Sequence, residues 1–299
     1  MNPLISIGLC VKNEEKNIRA TMSHLINQNF PHNKIEIIIV DGYSVDDTVN
    51  IINNCLKDSD YSYKIIYENK GLGNARQIVI QESVSDYVLW VDGDILLSPN
   101  YINYQYNFME NNENVGVAIG SYGIYGENIV DLLENYSYVV DSYRWAGHEH
   151  PRLLGTEGSI FRMKAIRQVN GFDSRIQGAC EDIDLVYRIR QKGWKLYMTK
   201  AIFYEKCKQT WKGLWDQYVW WGKGGHFLNH KNKRINPVYE MIPPAGFYAG
   251  LNRMFTAYSI TQDKKSFFMP IHYLFKRFAW CYGFIKAHYE GYGHIMDEL

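Results

Sequence analysis

The feature that most constrains this chain is a strand-like apolar run that recurs four times before residue 92. The runs cover 5–11 (ISIGLCV), 35–40 (IEIIIV), 64–67 (KIIY) and 87–91 (YVLWV). Mostly apolar runs of this length suit strands buried on both faces. Helix-length segments separate them: Ile18, Met22, Leu25 and Ile26 share one helical face, and Val49, Ile52 and Leu56 recur at helical spacing. Asn13 is placed to cap the first helix, with Glu14 and Glu15 at its positive end. Asp46 and Asp47 open the second helix, and a third starts near Asn74. Strands alternating with helices predict an α/β fold with a mostly parallel, doubly wound sheet and helices on both faces. Ligands of such sheets bind beyond the carboxyl ends of the strands. Here those ends carry Asp41-Gly42, the turn Gly71-Leu72-Gly73, and Asp92-Gly93-Asp94.

Charge and cysteine usage narrow the function classes. The 299 residues balance 32 Lys+Arg against 32 Asp+Glu, which argues against generic nucleic-acid binding, since neutralising phosphates takes a basic excess. The five cysteines (Cys10, Cys55, Cys180, Cys207, Cys281) lack CxxC or Cys/His zinc spacing and read as free thiols in a reducing compartment. The N-terminus has no basic, long-apolar signal pattern. No run reaches the ~18 apolar residues of a spanning helix; the longest near the C-terminus, 266–275, contains Pro270 and His272. A cytoplasmic location follows as the expectation.

Between 115 and 160 the pattern loosens around Gly116, Gly120, Gly123 and Gly126, and regularity returns with a helix expected over 164–169. Aromatic residues make up 15% of the chain and concentrate beyond Thr210. Trp211, Trp215, Trp220 and Trp221 fall within eleven residues, and 267–289 holds nine aromatics.

Asp92-Gly93-Asp94 directly follows an apolar strand. Carboxylates at i and i+2 can converge on a hard divalent cation, Mg²⁺ or Mn²⁺. The same triplet also occurs in plain surface turns, but its place at a buried strand's end, in line with Asp41, favours the cation. Glu181-Asp182-x-Asp184-Leu185-x-x-Arg188 is the second acidic cluster. It reads equally as a helix start with an Asp184–Arg188 pair or as a site with Asp182 as general base. Arg76 suits a phosphate or nucleoside contact, or an ordinary solvated position. Gly71-Leu72-Gly73 departs from GxGxxG, because Ala75-Arg76 replaces the last glycine, so a dinucleotide fold is disfavoured. His148 and His150 have metal-like spacing but read as polar loop histidines beside Pro151, with acceptor-site contact as the second reading. Cys180 reads as a small buried residue rather than a nucleophile.

These segments together resemble the family 2 glycosyltransferases of GT-A fold. The resemblance rests on Ser6 to Glu14 (SIGLCVKNE), Val40 to Thr48 (VDGYSVDDT), Gly71-x-x-x-Ala75-Arg76, Val91 to Asp94 (VDGD), Gly171-Phe172-Asp173, and Glu181-Asp182-x-Asp184-Leu185-x-x-Arg188 with Gly193. They stand in the family's order across roughly residues 3 to 225. The resemblance implies a GT-A catalytic domain over 1–225, with a nucleotide-binding half (1–110) and an acceptor or catalytic half (111–225), followed by a C-terminal aromatic helical extension (226–299). It implies inverting transfer of one sugar from a nucleotide-diphosphate sugar to a hydroxyl of a lipid-linked or membrane-proximal glycan. By that likeness Cys10, Val11, Glu14 and Asp41 hold the nucleoside, Arg76 and Asp92 also contact the donor, and Asp94 with Asp92 holds Mn²⁺ or Mg²⁺. Asp182 would be the base, supported by Glu181.

Two departures matter. Gly42 stands where the family commonly has a second acid, so both UDP- and GDP-sugars stay open. The family's histidine after the strand that follows the catalytic base is missing, and Glu205 is the candidate third metal ligand in its place. The polymerising QxxRW signature is missing too, which favours single addition. A polyprenyl-phosphate sugar synthase, with a phosphate acceptor, and a non-catalytic sugar- or nucleotide-binding module are the alternatives. Phe275, Phe278, Tyr282, Ile285 and Tyr289 share one helical face with Lys286 intruding, a pattern that suits peripheral contact with a membrane interface, packing on the catalytic domain, or an oligomer interface.

Overall fold

The computed structural model describes residues 3–235 and 238–293. Its first half alternates β1 (Ile5–Val11), α1 (Ile18–Ile26), β2 (Ile35–Asp41), α2 (Thr48–Leu56), β3 (Ser62–Tyr67), α3 (Leu72–Glu82) and β4 (Tyr87–Trp90). β5 (Ile95–Leu97), α4 (Tyr101–Glu110), β6 (Val115–Tyr122), α5 (Ile129–Trp145), β7 (His148–Glu149), β8 (Ile160–Arg162) and α6 (Met163–Arg167) come next. The chain continues through α7 (Glu181–Gln191), β9 (Lys195–Glu205), α8 (Trp211–Lys231), α9 (Pro243–Thr261) and α10 (Met269–Glu290).

The strands form one sheet in the order β3-β2-β1-β4-β8-β6-β9-β5, with β7 added on β9. The four strands read from the apolar runs pair in parallel. Beyond β4 the sheet is mixed: β8 runs antiparallel to both β4 and β6, and β5 and β7 run antiparallel to β9. Parallel pairing needs a crossover element between strands, and only the strand–helix alternation of the first half supplies one every time. Gly8 is required for close approach, since a Cβ there would stand 2.6 Å from the Trp90 ring.

The chain divides into two compact units. One comprises Met1–Gly123, Trp145–Gln177 and Leu185–Lys206, and holds the whole sheet. Trp90, Tyr101, Phe161 and Phe203 are its largest fully buried side chains. The other comprises Ile124–Arg144, Gly178–Asp184 and Cys207–Leu299, as far as those residues are described. Within it, Leu133, Tyr136 and Val140 of α5 pack with Met254 and Ala257 of α9 and Met269 and Tyr273 of α10. Val130 of α5 joins Leu214 and Tyr218 of α8 and Ala279 and Trp280 of α10. α8 and α10 touch backbone to backbone: a Cβ on Gly222 would lie 2.1 Å from the Trp280 carbonyl, and one on Gly283 2.0 Å from that of Val219.

Several local expectations change. Asn13 does not cap a helix; it takes a left-handed φ of 55°, and α1 starts at Ile18 behind Asn17, which makes no side-chain cap bond. The loosened stretch 115–160 contains a fully buried strand, β6, and the 17-residue α5. The polar residues Asp131, Glu134, Asn135, Ser137 and Ser142 of α5 are buried, which blurs its amphipathic pattern. His148 lies on β7 rather than in a loop.

Candidate active site

Three of the parallel strands, β1, β2 and β3, end level with one another. β1 and β2 pair through Cys10↔Val40 and Val11↔Asp41, and Asp41 pairs onward with Tyr67. Asp41 is fully buried, and its two carboxylate oxygens accept from the Ser44 N–H (2.8 Å) and the Ser44 hydroxyl (2.6 Å). The loops after β1 and β2 are tied together. Ser44 Oγ accepts from the Asn13 N–H (2.9 Å), Asn13 Oδ1 from the Val45 N–H (2.9 Å), and Thr48 Oγ1 from the Glu14 N–H (2.7 Å). Asn13 and Tyr43, one in each loop, both have positive φ. A non-glycine residue keeps such a conformation where its surroundings over-determine it.

The Asp92-Gly93-Asp94 turn lies against the end of β1. A Cβ on Gly93 would stand 3.0 Å from Glu14 Cγ and 3.5 Å from Val11 Cγ1, and the Thr21 hydroxyl donates to the Gly93 carbonyl (2.8 Å). Arg76 reaches Asp92 Oδ1 (3.3 Å) and lies over the Trp90 ring, 5.8 Å from its centroid. It is only 4% exposed, which overturns the reading of a solvated arginine. On the turn's other side, β5 pairs with β9 in the register Ile95↔Glu205, and the Asp94 carbonyl accepts from the Lys206 N–H (3.0 Å). Val11, Glu14, Asp92, Asp94 and Glu205 therefore gather at one edge of the sheet unit, with Cys10 one residue back along β1. The carboxylate oxygens of Asp92, Asp94 and Glu205 are of the donor type that a hard divalent cation takes.

Glu181 and Asp182 belong to the other unit, at the N-terminal turn of α7. Glu181 is buried, while Asp182 is partly exposed and its Oδ1 accepts from the Ile183 N–H (2.7 Å). Cys180, just before them, has φ of 74°. Burial pushes its thiol well above the usual range, and Asp182 and Glu181 push it further, which favours the protonated thiol. α8 backs this turn through Gly224, where a Cβ would lie 2.4 Å from the Ala179 carbonyl. Asp184 pairs with Lys231 at 2.7 Å, a partner far away in sequence that spacing alone cannot reveal.

In the sheet unit, Arg188 donates to the carbonyls of Val169 (2.6 Å) and Gly171 (2.8 Å), so it braces the turn before Phe172-Asp173. Gln77 Oε1 accepts from the Phe172 N–H (2.8 Å) and fastens the same turn to α3. Gly71, with φ of 113°, packs on the Gln177 backbone; a Cβ there would lie 2.3 Å from its carbonyl oxygen. His150 is buried, its Nδ1 within 3.3 Å of both the N–H and the carbonyl of Arg152.

Residues 6–166 match the description "Glycosyl transferase family 2". The chain belongs to that family. As a family 2 glycosyltransferase it also matches "Glycosyl transferase family group 2" over residues 87–287. It is 25% identical over 238 residues to "Probable glycosyltransferase YdaM" of Bacillus subtilis (strain 168), covering 76% of this chain and 56% of that protein. It is 25% identical over 253 residues to the poly-beta-1,6-N-acetyl-D-glucosamine synthase of Staphylococcus aureus (strain COL), covering 80% and 60%. The chain thus spans less than two thirds of these curated relatives. Among solved structures, the mannosyltransferase PcManGT from Pyrobaculum calidifontis in complex with GDP-Man and Mn²⁺ aligns with a TM-score of 0.67 at 14% identity, over 97% of this chain and 88% of that one. S. aureus TarS 1-349 in complex with UDP-GlcNAc aligns with a TM-score of 0.54 at 16% identity, over 91% and 79%. The fold is the GT-A fold.

Proposed function

We propose that this family 2 glycosyltransferase moves one sugar, with inversion, from a nucleotide-diphosphate sugar to a hydroxyl of a lipid-linked or membrane-proximal glycan. The observation that carries the reading is the packing of the Asp92-Gly93-Asp94 turn against Val11 and Glu14 on one side and its pairing next to Glu205 on the other. In this reading Cys10, Val11, Glu14 and Asp41 bind the nucleoside, and the buried Arg76 fixes Asp92 for the donor. Asp94, with Asp92 and Glu205, holds Mn²⁺ or Mg²⁺, which when bound offsets the charge that develops on the diphosphate leaving group. Asp182 takes the proton of the attacking acceptor hydroxyl, and the buried Glu181 positions it. The mannosyltransferase with GDP-Man and Mn²⁺ and TarS with UDP-GlcNAc support a nucleotide-sugar donor without choosing the base.

Among the described residues no helix is long and apolar enough to cross a membrane. The acceptor reading is supported instead by Ile271, Phe278, Tyr282, Ile285 and Tyr289 of α10, all exposed at helical spacing. An aromatic stripe of this kind suits a peripheral membrane interface. The function is tested by a thermal-shift panel of UDP-, GDP- and dTDP-sugars with Mn²⁺. One nucleotide class should raise Tm by several degrees; a flat response to all of them would defeat the proposal.

A further inference from the structure

The helical unit holds a cluster that this function does not use. His226 and His230 lie one turn apart on α8, and His288 sits in the last turn of α10. One ring nitrogen from each falls within 4.8 Å of the others. His226 is buried, His230 half-buried and His288 exposed.

Hydrogen bonding fixes the protons. His226 Nδ1 lies 2.6 Å from the Tyr292 carbonyl oxygen. A carbonyl only accepts, so Nδ1 carries the hydrogen, and in the neutral ring Nε2 presents a bare lone pair. That nitrogen faces His230 Nε2 at 3.2 Å and His288 Nδ1 at 3.3 Å. One in-plane lone pair cannot serve two donors with good geometry. A cation between the three rings uses all three lone pairs at once. The two separations from His226 agree, because tetrahedral Zn–N bonds of about 2.0–2.1 Å place neighbouring nitrogens about 3.3–3.4 Å apart.

The surroundings are those of a built site. A metal-binding histidine usually donates its other N–H to a carbonyl or carboxylate, which fixes ring and tautomer. Here the carbonyl is delivered by the end of α10. Gly291 is left-handed (φ 73°), its N–H donates to the His288 carbonyl (3.2 Å), and the Tyr292 N–H donates to that of Ala287 (3.0 Å). This is a Schellman turn, and it aims the Tyr292 carbonyl at His226. Phe284 packs edge-on against the His226 ring with centroids 4.9 Å apart.

We infer that His226 Nε2, His230 Nε2 and His288 Nδ1 form a binding site for Zn²⁺ or a similar borderline transition metal, separate in chemistry from the carboxylate oxygens of Asp92, Asp94 and Glu205. Imidazole donors suit Zn²⁺, Co²⁺, Ni²⁺ and Cu²⁺ over Mg²⁺. The ion staples the C-terminal half of α8 to the end of α10.

The test uses untagged full-length protein, stripped with a chelator and titrated with Co²⁺, then Zn²⁺. One equivalent of Co²⁺ should produce the visible absorption of a tetrahedral ion, and one equivalent of Zn²⁺ should bleach it. Zn²⁺ should raise Tm. His288→Ala changes an exposed side chain, so its fold can be verified by circular dichroism. It should weaken Co²⁺ binding by at least the roughly 10–100-fold that loss of an outer-shell partner costs, and abolish the Tm rise. Asp94→Asn should leave the Co²⁺ signal intact. No visible band, unchanged binding in both His288→Ala and His230→Ala, or loss of the signal in Asp94→Asn would each overturn the assignment.

Discussion

At the scale of single residues, the two acidic clusters were legible in different degrees. Asp92 and Asp94 stood out because a buried apolar strand runs directly into them, and packing against Glu14 and Val11 bears on that position. Asp182 was ambiguous, because acids at a helix start have an innocent electrostatic use. Beside the suggested Asp184–Arg188 pair stand longer-range partners: Asp184 pairs with Lys231, and Arg188 donates to the carbonyls of Val169 and Gly171. No periodicity could show either, since both partners are brought in by the fold. If Asp182 is the base for a hydroxyl acceptor, Asp182→Asn lowers kcat by about 10²–10⁴-fold with donor affinity preserved. An acceptor phosphate is already ionised and needs no base, so near-wild-type turnover would favour the polyprenyl-phosphate reading.

At the scale of elements, β1 to β4 were readable because each is buried on both faces and flanked by turn residues. α5 was not, because its buried side carries Glu134 and other polar groups. Their partners explain why burial is tolerated. The Lys276 ammonium of α10 lies 2.6 Å from Glu134 Oε2, the Tyr218 hydroxyl of α8 donates to Oε1 at 2.7 Å, and His272 Nε2 stands 3.6 Å away. Burial alone would raise the Glu134 carboxyl, but the Lys276 ammonium and the hydrogen bonds from Lys276 and Tyr218 overcome it and bring it down to about 2. Burial, reinforced by Lys276, brings His272 down to about 3, so it is neutral in the folded protein at pH 7. Both groups bind protons more readily when unfolded, so both contribute stability at neutral pH that is lost on acidification. The loss begins near pH 6.5, where His272 of the unfolded chain titrates, and steepens below about 4.5 as unfolded Glu134 joins. Urea midpoints measured from pH 8 to 4 should fall accordingly, and Lys276→Met should destabilise strongly by leaving Glu134 buried without its cation. A flat profile over that range would contradict this network.

At the scale of the whole molecule, the balanced charge total conceals local chemistry: carboxylates at the edge of the sheet unit, and aromatics and histidines in the helical one. The aromatic excess beyond Thr210 is partly core. Trp280 is buried, and Phe275 lies edge-on to Trp211 and Trp215 with centroids 5.0 and 5.4 Å away. On α10, Ile271, Phe278, Tyr282, Ile285 and Tyr289 face solvent. If that stripe seats the enzyme on a bilayer, replacing Phe278, Tyr282 and Ile285 by serine should abolish co-flotation with anionic liposomes. Equal flotation of wild type and variant would remove the membrane from the account. The central claim is a metal-assisted nucleotide-sugar site built on Asp94, and the most direct test is calorimetry of UDP and GDP with Mn²⁺ or with chelator. Mn²⁺ should tighten one nucleotide at least tenfold, about 1.4 kcal/mol, in the wild type and not in Asp94→Asn. Affinity indifferent to Mn²⁺, or strengthened equally in Asp94→Asn, would contradict it.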